Sequence, residues 1–325
     1  MRWLLTCALA AGAAGAIAGR SDGEALGLIR SGLPHDALYD LTFSETVGMA
    51  VGHHGLFLLS EDGGEGWQTM APISDAAMLA VDANEERVVV VGQQGRIFSG
   101  TDAHALSAVE SPTTERLLSV ALHESGLAVA VGGFGAVVIS EDGGATWEAR
   151  HLDWTELQPE GLEAHLYGVS IGDGGEILIC GEFAMILASG DRGQTWQVRH
   201  RGDASLFAMH IDGQGLGFAV GQEGTVLRTR DAGATWQPLA TGSRANLLDV
   251  WHSKEGEVVA IGIRALLRSP DHGQIWFSVG GRAVERSWYA ALAPGIVKNK
   301  LENGTLQEQR VYAAGERGTI VTVNQ

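Results

Sequence analysis

Ser140-Glu141-Asp142-Gly143-Gly144-Ala145-Thr146-Trp147 is the segment that decides the fold, because the chain repeats it. SEDGGEGW occurs at Ser60–Trp67, SGDRGQTW at Ser189–Trp196, TRDAGATW at Thr229–Trp236 and SPDHGQIW at Ser269–Trp276, all fitting S/T-x-D-x-G-x-x-W. The aspartates are Asp62, Asp142, Asp191, Asp231 and Asp271, and the tryptophans are Trp67, Trp147, Trp196, Trp236 and Trp276. Asp102 lies midway between the first two aspartates, in a copy that has lost its Trp and Gly. The spacings are then 40, 40, 49, 40 and 40 residues. Local turn bonding accounts for these aspartates. The carboxylate accepts N–H groups across the turn, Gly takes backbone angles closed to other residues, and Trp carries apolar area back between sheets. They read as hairpin fasteners, not as catalytic or metal-binding groups.

Two further landmarks keep the same beat. A V-G-type pair precedes each aspartate position, at Val51-Gly52, Val91-Gly92, Val131-Gly132, Cys180-Gly181, Val220-Gly221 and Ile261-Gly262, with a seventh at Ala314-Gly315. An apolar pair opens each unit near 38, 78, 117, 166, 206, 247 and 288. In the first unit Leu38–Phe43, Val47–Val51, Leu56–Leu59 and Trp67–Met70 read as four strands separated by Gly and Asp turns. Units of about 40 residues with four strands each predict an all-β, seven-bladed β-propeller over residues 19–325. The seventh aspartate position would fall on Gln325, so the seventh unit lacks a fourth strand. Ala25–Arg30 is expected to supply it beside Thr319–Val323 and close the ring.

Residues 1–18 have the form of a signal peptide, with Arg2, an apolar Ala/Leu run and Ala16-Ile17-Ala18 at the cleavage positions. Export to the periplasm, or to a thylakoid lumen, is the expectation. Cys7 would leave with the signal, so no disulfide framework is expected, and Cys180 reads as a small buried apolar residue. With 22 Lys+Arg against 39 Asp+Glu, a net charge of -17 argues against nucleic acid as partner. No cofactor or metal is expected, and His53-His54 reads as a turn. Insertions at Leu152–Ala164 and Pro294–Gln309 interrupt the repeat and read either as contact loops or as tolerated solvent loops.

Together the S/T-x-D-x-G-x-x-W boxes and the V-G-x-x-G turn resemble the photosystem II assembly and stability factor family of cyanobacteria and plastids, which has exported relatives in other bacteria. The resemblance spans residues 25–325. It implies a non-enzymatic propeller that holds a newly made membrane protein through an arginine-rich surface. Sialidases and other glycosidases use the same box, so a carbohydrate-active enzyme is the alternative. The chain lacks the Arg-Ile-Pro-type motif of sialidases, since Arg96-Ile97 continues into Phe98. Tyr39, Tyr167 and Tyr289 read as second residues of the first strand, and as packing groups.

On a propeller the turns between strands two and three share one face with the blade-to-blade connections. Those loops hold Arg116, Arg150, Arg199, Arg201, Arg244, Arg264, Arg282, Arg286 and Arg317, and also Glu115, Asp153, Glu156, Glu182, Asp203, Glu223, Glu285 and Glu316, which would compensate them. The candidate binding rim is Arg116, Arg201, Arg244, Arg264, Arg286 and Arg317, and the expected partner is a membrane protein or envelope complex subunit held by a monomer.

Overall fold

The computed structural model describes residues 24–158, 161–301 and 304–324. The expected signal segment lies outside the described residues. Seven four-stranded antiparallel sheets are arranged as blades. Strands are lettered a to d from the central channel outward. In blade one they are Leu38–Ser44, Val47–Gly52, Phe57–Ser60 and Gln68–Thr69. The remaining a strands are Met78–Ala83, Leu117–Leu122, Leu166–Ile171, Leu206–Ile211, Leu247–His252 and Tyr289–Leu301.

The second strands explain the apolar runs. Val88–Gly92, Ala128–Gly132 and Ile177–Gly181 are buried at every residue, because each lies mid-sheet between two neighbouring blades. The d strands are short and polar, as Gln68–Thr69 and Glu148–Arg150 illustrate, because one edge of each meets solvent. The core is therefore a set of wedges between adjacent blades. One joins Val89, Val91 and Ile97 of blade two to Val120, Ala130 and Val138 of blade three. Another joins Leu38, Ala50 and Leu58 of blade one to Ala291, Tyr312 and Ile320 of blade seven.

The ring closes as the sequence requires. Leu26–Arg30 pairs antiparallel with Ile320–Val323, placing both ends of the chain in blade seven. Asn324 N donates to Ala25 O at 3.0 Å, and Arg30 Nη1 donates to Gly318 O at 2.6 Å. Blade seven corrects one register expectation. Tyr289 pairs with Gly315 as Leu38 pairs with Gly52, so Tyr289 is the first residue of its strand and is buried, not the second. Trp288 lies before the strand and stacks on Tyr39 with ring centroids 6.4 Å apart.

The described parts of both insertions carry regular structure. In Leu152–Ala164 a short helix, Trp154–Leu157, is capped by Asp153, and Leu152, Trp154, Leu157 and Ala164 are buried in the wedge between blades three and four. Around Pro294–Gln309 the a and b strands of blade seven lengthen into a hairpin paired from Pro294↔Val311 to Leu301↔Gly304. Cys180 is buried, and burial pushes its thiol up to about 12, which fits an apolar filler. Among the described residues no helix is long and apolar enough to cross a membrane.

The repeated box works as a turn fastener. Ser140 Oγ donates to Asp142 Oδ1 at 2.7 Å and accepts from Gly144 N at 2.8 Å. Thr146 N and Oγ1 donate to the same carboxylate, and Trp147 Nε1 donates to Gly144 O at 3.0 Å. Desolvation of the turn pushes the Asp142 carboxyl up, but bonds from Thr146, Ser140 and Ala145 outweigh it and hold the group at about 2. Asp191 is held at about 2 chiefly by Thr195. Gly144 has φ +87°, and a Cβ there would meet Val89 of the preceding blade at 2.7 Å, so the box also seats one blade on the next. Degenerate Asp102 keeps one such bond, from His104 N at 2.7 Å.

Two outcomes follow from this architecture. Removing residues 24–31 bares the edge of Ile320–Val323, so the truncated protein should melt at lower temperature and self-associate with concentration in sedimentation experiments; an unchanged melting curve would contradict the closure. Ser140 is 1% exposed, and Ser140→Ala strands the Gly144 amide, so urea unfolding should show a loss of about 1–3 kcal/mol.

Candidate binding face and central channel

Hydrogen bonds fix which loops share a face. The first residue of each b–c turn donates to the residue just before its own a strand, as in His53 N to Ala37 O (2.9 Å), Gly133 N to Arg116 O (3.0 Å) and Ile263 N to Asn246 O (3.0 Å). The same turns also bond to the connection leading into the next blade, as in Gly135 N to Ala164 O (2.9 Å), Gly224 N to Ala245 O (2.7 Å) and Arg264 N to Ser287 O (3.0 Å). Tips and connections are therefore laced into one surface. The Asp boxes, in the c–d turns, lie at the opposite face.

The tips carry backbone strain. His54, Gln94, Phe134, Phe183, Glu223, Arg264 and Arg317 all have φ between 49° and 61°. In the His53–Leu56 turn both central residues have positive φ, which is the type I′ geometry that matches strand twist and favours Asn or Gly. Side chains held there cost on the order of 1 kcal/mol each.

Arg116, Arg201, Arg244, Arg264, Arg286 and Arg317 are all exposed on this face, four in connections and two at tips. Among the described residues none of the six has a carboxylate within 4.0 Å. Arg201 donates to Leu157 O. The expected compensation by neighbouring acids is not found for these six, because several of those acids are engaged elsewhere. Asp153 accepts from Thr155 N at 3.0 Å, Glu182 from His165 N at 2.8 Å and Glu285 from Gly281 N at 3.3 Å. Arg150 and Arg199 differ from expectation. They lie in d strands and pair with Glu148 at 2.9 Å and Glu176 at 3.5 Å.

The centre of the face was not foreseen. The second residue of each a strand, read as packing, instead borders the mouth of a channel cavity of about 350 Å³, with Tyr39, Leu79, Leu118, Tyr167, Phe207 and Leu248 partly exposed around it. A β-bulge at this second residue, present in all seven a strands, breaks the period-two alternation, so the first residue enters the wedge while the second borders the axis. The Tyr167 hydroxyl is pushed up by burial and then by the nearby Glu182 carboxylate.

Deeper in the channel, carboxylates join neighbouring blades. Asp40 accepts from Val81 N at 2.9 Å, Asp82 from Leu122 N at 2.8 Å and Asp249 from Leu292 N at 2.6 Å. Burial raises these carboxyls against those bonds, to about 8, 6 and 7 respectively. Among the described residues no three His, Cys, Asp or Glu side chains are arranged to hold a metal ion.

These features define a class: an Asp-box seven-bladed propeller with an arginine-bearing face around an apolar channel mouth. Residues 98–265 match the family model described as Photosynthesis system II assembly factor YCF48, and the chain belongs to that family. A solved structure of YCF48 bound to D1 peptide superposes with TM-score 0.70 at 18% identity, over 94% of this chain and 97% of that one. YCF48 from Cyanidioschyzon merolae gives 0.69 at 20% identity, over 93% and 99%. The WD40 propeller domain of Doa1 gives 0.66 at 11% identity, over 92% and 97%. The curated proteins contain no match.

The channel carboxylates set a pH dependence. Their native values lie above the unfolded value of roughly 3.9, so the folded state binds more protons between about pH 4 and 8, and stability falls as pH rises through that window. His210, lowered to about 4 by burial and then by His252, acts oppositely, its contribution being lost as pH falls from about 6.5 toward 4. Asp40→Asn removes one proton-binding site, so its melting temperature should decline less than that of the wild type between pH 6 and 9. Parallel profiles would contradict the assignment.

Proposed function

We propose that this protein is a non-enzymatic scaffold that holds an exposed segment of a membrane protein subunit during assembly. The observation that carries the reading is the set of six exposed arginines without carboxylate partners among the described residues, gathered on one face of a chain whose net charge is -17. They form an arc from blade three to blade seven. Arginine suits such contacts because its planar fork binds carboxylates and backbone carbonyls bidentately. Family membership supports the reading, and so does a relative bound to D1 peptide. In this reading residues 1–18 direct export, the site of action is the periplasm or a thylakoid lumen, and the protein works as a monomer.

The test is capture of a solubilised membrane protein by the purified mature chain. Arg244→Glu with Arg286→Glu should weaken binding about tenfold at low salt, with the deficit shrinking as salt rises, since rim charges act through screened attraction. Folding should be unaffected, because exposed charges contribute little stability. Undiminished capture by the double variant, or robust hydrolysis of sialosides or glucans by the wild type, would overturn the reading.

A further inference from the structure

Two large apolar side chains stand exposed on neighbouring tips: Phe134 of blade three (56%) and Phe183 of blade four (38%). Each occupies the left-handed region, at φ 50° and 60°, where a bulky residue is the least favourable choice. Each is accompanied by an exposed arginine. Gly133, next to Phe134, donates its N–H to Arg116 O at 3.0 Å, and Phe183 O accepts from Gly202, next to Arg201, at 2.7 Å. From Phe134 an aromatic run continues inward. Phe134 meets His165 edge-on at 4.7 Å between centroids, His165 is 6.4 Å from Tyr167, and Tyr167 meets Phe207 edge-on at 5.3 Å at the channel mouth. Packing does not demand the exposed phenylalanines, since removing them would relieve strain and uncover little core.

Charge decides what this strip fits. Glu182 is engaged by His165 N, and Arg116 and Arg201 have no carboxylate within 4.0 Å among the described residues. We infer that the sector from Phe134 to Phe207 is an apolar anchor for an extended polypeptide segment that alternates bulky aliphatic or aromatic residues with carboxylates, its acids lying on Arg116 and Arg201. This inference rests on the scaffold reading and narrows it to a segment chemistry and a sector of the ring. Exposed aromatics beside arginines also suit single-stranded nucleic acid. The chain's excess of acidic residues works against that phosphate-rich occupant.

The experiment uses the purified mature chain and labelled twelve-residue peptides in fluorescence anisotropy. One peptide alternates Leu or Phe with Asp or Glu, and a second replaces every apolar residue by Ser. The wild type should prefer the first by about tenfold, the effect of one well-filled anchor. Phe134→Asn with Phe183→Asn should erase the preference while leaving the melting temperature equal or higher, because Asn tolerates left-handed backbone. Equal affinity for both peptides, a preference that survives the double variant, or tighter binding to poly-uridine or to anionic vesicles would overturn the anchor. Capture of the solubilised membrane protein is measured with the same variants. Capture that depends on Arg244 and Arg286 but not on the phenylalanines sinks the anchor alone. Absence of any capture by the wild type sinks the scaffold reading, whatever the peptides show.

Discussion

The pairing of Leu26–Arg30 with Ile320–Val323 is the constraint on which the rest depends. Every wedge of core is shared by two blades, so an open ring would leave one flank of blade seven and one of blade one without a partner surface. The binding face is a property of the closed ring as well. Arg116 and Arg317 are some 200 residues apart in sequence but belong to one rim because seven blades return to their starting point. A short strand of mixed polar and apolar residues thus supports both the packing and the geometry of recognition.

The features legible in the sequence were those made by residues close together along the chain. The boxes could be read because Ser140, Asp142, Gly144 and Trp147 bond to one another within a single turn. The blade count followed, and so did the missing outer strand. Features made between blades were illegible. Asp40, Asp82 and Asp249 each bond a backbone amide some 40 residues away, and nothing local distinguishes them from ordinary solvated acids. Blade seven was read one residue out of register because Trp288-Tyr289 resembles the apolar pairs that open other blades. The six rim arginines could be named from their loops. That they lack carboxylate partners depends on where neighbouring acids find other donors, and this needs coordinates.

The two faces of the molecule are built to different rules. At the Asp-box face a glycine takes the second positive-φ position of each intact box, against the preceding blade, while Arg192, Ala232 and His272 take the first in three of them. At the opposite face the comparable tip positions bear His, Gln, Phe, Glu and Arg, although glycine would be the least strained choice. The turn-fastening boxes and the displayed tips thus lie at opposite ends of the same strands.

The inter-blade bonds of the channel are also unevenly distributed. Asp40 spans blades one and two, Asp82 two and three, Ser119 three and four, and Asp249 six and seven. Among the described residues, the seams between blades four and five, five and six, and seven and one have no such tie, and the small residues Gly168 and Ala208 stand at the first two of these positions. Mechanically the inner wall of the ring is riveted at four of its seams, and the others are held by packing and by the hydrogen bonds of the outer loops. Tyr167 and Phe207 stand on either side of one unriveted seam, so an aromatic part of the rim lies where neighbouring blades can shift without breaking a channel bond.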